Sequence, residues 1–113
     1  MTHVSEREFG DHLETFLEER FGADAVDREY RFEDGLRADF LVRGPICRWA
    51  FELENDDPSV RDAVGQVTEY HRKAPDLRPV IVVPAGHVDA DRFEAFRPYL
   101  LIREFDLEAG ELV

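Results

Sequence analysis

RADFLVRGPICRWAFELE, running from Arg37 to Glu54, is the stretch that decides how the chain is read. Two apolar, alternating runs flank Gly44-Pro45, the pattern of two antiparallel strands joined by a tight turn. Leu36, Ala38, Phe40 and Val42 share one face of the first run. Cys47, Trp49, Phe51 and Leu53 form the apolar face of the second, leaving Arg48, Ala50, Glu52 and Glu54 on the other. A two-residue turn pairs Arg43 with Ile46, Asp39 with Ala50, and Arg37 with Glu52. Asp39, Glu52 and Glu54 then emerge on one face, with diagonal neighbours about 7–8 Å apart at the backbone. Three carboxylates so close raise one another's pKa unless a cation lies between them. Oxygen ligands of this kind suit Mg2+ or Mn2+, which keep waters and take phosphate oxygens as further ligands. A half-buried strand that turns its polar face to water would carry the same three acids, so the surrounding chain has to separate the two readings.

On the N-terminal side, Ser5 and Glu8 form a capping box, and Phe9, Leu13, Phe16, Leu17 and Phe21 recur at helical spacing. Gly22 stands where that helix should stop. Val26, Arg28, Tyr30 and Phe32 then read as a strand ending in the hairpin signal Asp34-Gly35. On the C-terminal side, Asn55 to Asp57 break the strand and Pro58 suits a first helical turn. Val60, Ala63, Val64, Val67, Tyr70 and His71 stripe that helix until Pro75. Val80 to Val83, between two prolines, reads as a buried strand, followed by a short helix near 89–96 and a strand near 100–105. The predicted order is α-β-β-β-α-β-α-β, an α/β fold with a mixed sheet flanked by helices.

Composition sets the outer bounds. A chain of 113 residues, 43% hydrophobic and 12% aromatic, is expected to form one domain with a real core over residues 1–113. No apolar run approaches the roughly 20 residues of a membrane span, and no charged-then-apolar leader is recognisable, so a soluble cytoplasmic protein with no membrane partner is expected. Acids number 26 against 14 basic residues, a formal −12, and Lys73 is the only lysine. This acid-rich, lysine-poor balance resembles the proteins of extreme halophiles, archaeal ones among them, whose carboxylate surfaces stay hydrated in molar KCl. An acidic mimic of a nucleic-acid partner would show the same bias. Cys47 is alone, which excludes a disulfide framework and points to a buried thiol on the apolar strand face. His3, His12, His71 and His87 lack zinc-ligand spacing, and no Gly-rich phosphate loop or nucleophile elbow is present.

With these pieces in order, the chain resembles the PD-(D/E)XK, restriction-endonuclease-like nuclease superfamily. That pattern has an acid on the second strand, an acid-x-lysine on the third, and a helix after it. The matching residues are Asp39 in Ala38-Asp39-Phe40, Glu52 in Phe51-Glu52-Leu53-Glu54, and Gln66 with Tyr70 on the helix. The last two match the Q-x-x-x-Y signature of RecB-like nucleases, and Ala63 to Tyr70 looks like the catalytic domains of archaeal NucS mismatch endonucleases. The resemblance spans about residues 5–84. It departs at one position, where Glu54 replaces the lysine.

The resemblance implies a Mg2+- or Mn2+-dependent nuclease that hydrolyses DNA phosphodiester bonds, of the repair, recombination or restriction class. Asp39 and Glu52 would hold the metal, and Glu54 would serve as a further ligand or as general base. Gln66 and Tyr70, one helical turn apart, would support the site and touch substrate; alternatively Tyr70 is core and Gln66 solvated. Family members often add a first-helix Glu, for which Glu8 and Glu14 are candidates. Lys73 shares the helix face of Gln66 and Tyr70 and could supply the displaced positive charge, though a solvated lysine near a helix end is the simpler reading. Arg37 could stabilise charge but cannot act as a base. Nucleic acid, DNA foremost, is the implied partner, and a homodimer would provide two sites for two strands. The alternative is a nuclease-fold protein that has lost catalysis and binds a protein or nucleic-acid partner.

Overall fold

Ser5 opens the first helix, α1 (Glu6–Phe21), and its Oγ accepts the Glu8 N–H at 3.1 Å. Gly22 closes it at φ +92°, donating its N–H to the Glu18 carbonyl at 2.8 Å. Both ends therefore follow the capping rules that the sequence obeys. The computed structural model describes residues 5–32, 35–54, 62–66, 69, 72, 74, 76–86 and 101–113. The expected helix near 89–96 lies outside them, as do Tyr70 and Lys73.

After a short 3-10 turn (Ala23–Ala25) come six strands: β1 (Val26–Arg31), β2 (Arg37–Arg43), β3 (Arg48–Leu53), β4 (Leu77–Pro84), β5 (Leu101–Asp106) and β6 (Glu111–Leu112). They form one sheet in sequence order. β1, β2 and β3 are an antiparallel meander, β3, β4 and β5 run parallel, and β6 returns antiparallel to β5. Helical residues 62–66, 69 and 72 lie in the crossover between β3 and β4. The mixed α/β fold is the one the periodicities predict, and the 3-10 turn and β6 are additions.

Two apolar layers sandwich the sheet. Phe9, Leu13 and Leu17 of α1 bury against Phe40, Val42, Phe51, Leu53, Val80, Val82 and Phe105. Ala63 of the second helix packs on the opposite face with Ala38, Leu41, Ala50, Leu77, Ile81, Val83 and Ile102. β4 buries both faces, as a central parallel strand must. It begins at Leu77, so Pro79 lies inside the strand and not at its boundary. Pro79 is tolerated because β5 pairs only from Val80 onward, so no ladder partner awaits a Pro79 N–H on that side.

Two expectations for the central hairpin need correction. Arg43 pairs with Arg48, and the Gly44 N–H donates to the Cys47 carbonyl at 2.9 Å, so the turn centres on Pro45-Ile46. Proline's fixed φ fits the first central position of a turn, which draws the turn one residue along. The register therefore moves by two residues, and the side-chain alternation survives the move. Ile46 becomes the turn tip, 93% exposed, and Cys47 is half-buried at the mouth of the turn, not a core thiol. Second, β2 does not keep one apolar face. Ala38 packs toward the second helix, whereas Phe40 and Val42 pack toward α1. Its partner β1 changes sides at the same level, with Glu29 at φ +55° between Arg28 and Tyr30.

Candidate functional site

The change of side in β2 falls on Asp39. Its side chain is therefore not aligned with a strand face as expected; it turns across the sheet to β3, where Oδ2 accepts the Leu53 N–H at 2.8 Å. The strands part here: the β2–β3 register runs from Arg43↔Arg48 to Phe40↔Phe51, and Asp39 and Glu52 come next. The carboxylate thus bonds to the peptide that joins Glu52 to Leu53. An N–H that the ladder no longer satisfies is satisfied by a side chain, as buried backbone donors require.

Glu52 is 4% exposed, and is the buried charged side chain among the described residues. It sits opposite Ile81 of β4, on the strand side away from Phe51 and Leu53. Glu54 follows the end of β3 and remains hydrogen-bonded to β4 through its N–H and the Val82 carbonyl at 3.0 Å. From the second helix, Gln66 Nε2 donates to the Arg37 carbonyl at 3.2 Å, two residues before Asp39. Asp39, Glu52, Glu54, Gln66 and Arg37 thus gather where the start of β2 meets the end of β3. Among the described residues, no group of three or more His, Cys, Asp or Glu side chains is arranged to hold an ion as a set.

On the α1 side, Asp39 lines a cleft of about 250 Å³ with Arg37, Phe40 and Leu53. Glu6, Arg7 and Gly10 of α1 and Arg28 and Glu29 of β1 complete it. The first-helix glutamate that reaches the cleft is Glu6. Glu8 is not among its lining residues, and Glu14 is engaged by Arg28 Nη1 at 3.2 Å. The same Nη1 donates to Asp11 Oδ1 at 2.8 Å, and the guanidinium lies 5.5 Å from the Phe40 ring centre. These carboxylates raise the Arg28 pKa, its hydrogen bond to Asp11 most of all, and Asp11 is lowered in return. Gly10 makes this possible, because a Cβ there would collide with the guanidinium. Neither Arg28 nor Gly10 stands out in the sequence, where an Arg in an alternating strand reads as surface.

No protein family and no curated protein matches this sequence. A solved structure does: the crystal structure of a repair endonuclease from Pyrococcus abyssi, with TM-score 0.60 and 16% identity. The match covers 94% of this chain and 49% of that one, so the chain spans about half the length of that protein. The fold is restriction-endonuclease-like. In this fold, as built here, α1 covers one side of the mixed sheet and the second helix the other, with the acids where β2 and β3 separate. No helix among the described residues is long and apolar enough to cross a membrane.

Proposed function

We propose that this chain is a metal-dependent nuclease that hydrolyses DNA phosphodiester bonds, with Asp39 and Glu52 as the residues that hold Mg2+ or Mn2+. One observation carries the reading. In a fold shared with a repair endonuclease, the Asp39 carboxylate is turned onto the peptide of Glu52 by a 2.8 Å hydrogen bond. Mg2+ commonly takes one or two protein carboxylates and fills its other positions with water and substrate phosphate, so Asp39, with Glu52 as its neighbour where β2 and β3 part, would be enough protein ligands for it. A bound divalent ion would supply Lewis acidity to the phosphate and lower the pKa of an attacking water. Glu54, in the place of the family's lysine, is suited to accept a proton, and Gln66 steadies the start of β2 through the Arg37 carbonyl. Tyr70 and Lys73 complete the proposal as substrate contact and positive charge.

The test is cleavage of single-stranded, duplex and branched DNA at high KCl with Mg2+ or Mn2+. Wild type should cut and the near-isosteric Glu52→Gln should not; wild type that cuts no better than Glu52→Gln would sink the reading. A second reading, a binding protein without catalysis, is favoured by Glu54 in the lysine's place. Absence of Mn2+ binding by calorimetry, together with a stable nucleic-acid complex, would select it.

A further inference from the structure

We infer that Glu29 of β1 is a positioning residue for Asp39, and that it acts through its backbone and not through its carboxylate. The inference rests on the nuclease reading for why Asp39 matters, but its test reads the placement of Asp39 apart from cleavage. Among the described residues Glu29 alone combines a side chain with a positive φ, +55°. Residues other than Gly, Asn and Asp seldom adopt that conformation, and where they do the surrounding structure must hold them in it.

Two anchors on opposite sides of the sheet do the holding. In a regular strand Val26, Arg28 and Tyr30 would share one face. Val26 packs in the α1 layer, and Arg28 is bound there by Asp11 and Glu14 beside the Phe40 ring. Tyr30 packs in the opposite layer and meets Phe32 edge-on, ring centres 5.0 Å apart. The residue between Arg28 and Tyr30 must absorb the reversal, and the positive φ of Glu29 does so. Across the ladder Arg28 pairs with Phe40 and Tyr30 with Ala38, so Glu29 and Asp39 stand level with each other. Each strand has one residue between those pairs. The register is therefore kept and both strands turn over together, whereas a bulge would give one strand an extra residue. With β1 straightened, Ala38 and Phe40 would return to one face and Asp39 would point from the other. Its Oδ2, which now lies across the sheet on the Leu53 N–H, would be withdrawn. The Glu29 side chain is exposed on the cleft, and the positioning needs only the turn of its backbone.

The experiment is amide hydrogen exchange of the full chain, followed by NMR. It reads protection of the Leu53 N–H, bound by Asp39, relative to the Glu54 N–H, which bonds the Val82 carbonyl independently of β2. General destabilisation lowers both amides, whereas a displaced Asp39 lowers only the first. Glycine takes a positive φ freely, asparagine tolerates it, and β-branched side chains resist it most. Glu29→Gly and Glu29→Asn should therefore keep the wild-type ratio although both lack the carboxylate. Glu29→Val should lower it by about tenfold or more, toward the value of Asp39→Ala. Glu29→Thr, the milder β-branched change, serves the same purpose if Glu29→Val does not fold. A wild-type ratio in the β-branched variants overturns the inference. So does a loss in Glu29→Gly and Glu29→Asn as large as in Glu29→Val, which would assign the effect to the carboxylate. DNA cleavage should follow the same order. That order at Leu53 in a chain that cuts no DNA upholds the positioning and defeats the nuclease reading. Cleavage by wild type with a Leu53 ratio indifferent to residue 29 overturns the positioning alone.

Discussion

At the scale of single residues, Asp39 has two separable tasks. Its Oδ2 satisfies the Leu53 N–H, and in the proposed function its charge serves a cation. Asp39→Asn keeps a carbonyl oxygen of the same reach and removes the charge. Asp39→Ala removes both and leaves the Leu53 N–H, in a half-buried setting, without its acceptor. We expect Asp39→Asn to unfold in urea near the wild-type midpoint, and Asp39→Ala to lose about 1–3 kcal/mol. Cleavage should fall in both by more than the about 10–100-fold typical of changes behind a metal's ligands. Equal stability of the two variants would show that the Leu53 bond contributes nothing. The sequence makes Asp39 legible as an acid beside an apolar strand. It does not reveal that the side chain lies across the sheet, because simple alternation assigns every residue of a strand to a face. The change of side at Glu29 and Asp39 is a property of the pair of strands, written in neither alone.

At the scale of elements, caps and turns carried the most information. Ser5, Gly22 and the positive φ of Gly35 act through local geometry, so α1 and the first hairpin follow from the residues that bound them. The β2–β3 register was less legible, since Gly44-Pro45 and Pro45-Ile46 both make acceptable turns and differ by two residues of pairing. The crossover shows a tie of a different kind. Arg48 opens β3 and grips Asp76, just before β4, through Nε at 2.8 Å and Nη2 at 3.2 Å, and its N–H bonds the Asp76 carbonyl. That hydrogen bond holds the Asp76 pKa below its ordinary 3.8, and the Asp11 pKa is lowered by Arg28 in the same way. A lowered folded-state pKa adds stability at pH values above the unfolded one, and that share is lost as pH falls through the folded value. The partner arginines, whose pKa is raised further by these bonds, stay charged throughout and add no slope in this range. Acid titration of the unfolding midpoint from pH 5 downward should therefore show a smaller loss in Asp76→Asn and Asp11→Asn than in wild type. Superimposable titrations would mean that these exposed pairs are too well solvated to matter.

At the scale of the molecule, the two apolar layers must hold together a chain whose acids outnumber its bases by 26 to 14. However the basic side chains are paired, a formal net charge of −12 remains. Its self-repulsion opposes compaction, and salt relieves it: the screening length shrinks from about 10 Å at 0.1 M to about 3 Å at 1 M. The described ion pairs, Arg28 with Asp11 and Glu14, Arg48 with Asp76, Arg43 with Asp27 and Arg72 with Glu69, pull the other way, since salt weakens each of them. These pairs are exposed or half-exposed and individually weak, so the repulsion of the excess should dominate. The melting temperature is accordingly expected to rise with KCl, and a flat or falling trend would overturn this balance. The form of the rise separates two causes. Pure screening is nearly complete by about 1 M, so a curve that levels there reflects net charge alone. A curve that keeps climbing into molar KCl requires a further contribution, such as a hydrated carboxylate surface. Replacing exposed acids remote from the cleft, such as Glu19, Asp24 and Glu108, by their amides should then raise stability at low salt and flatten the curve at high salt.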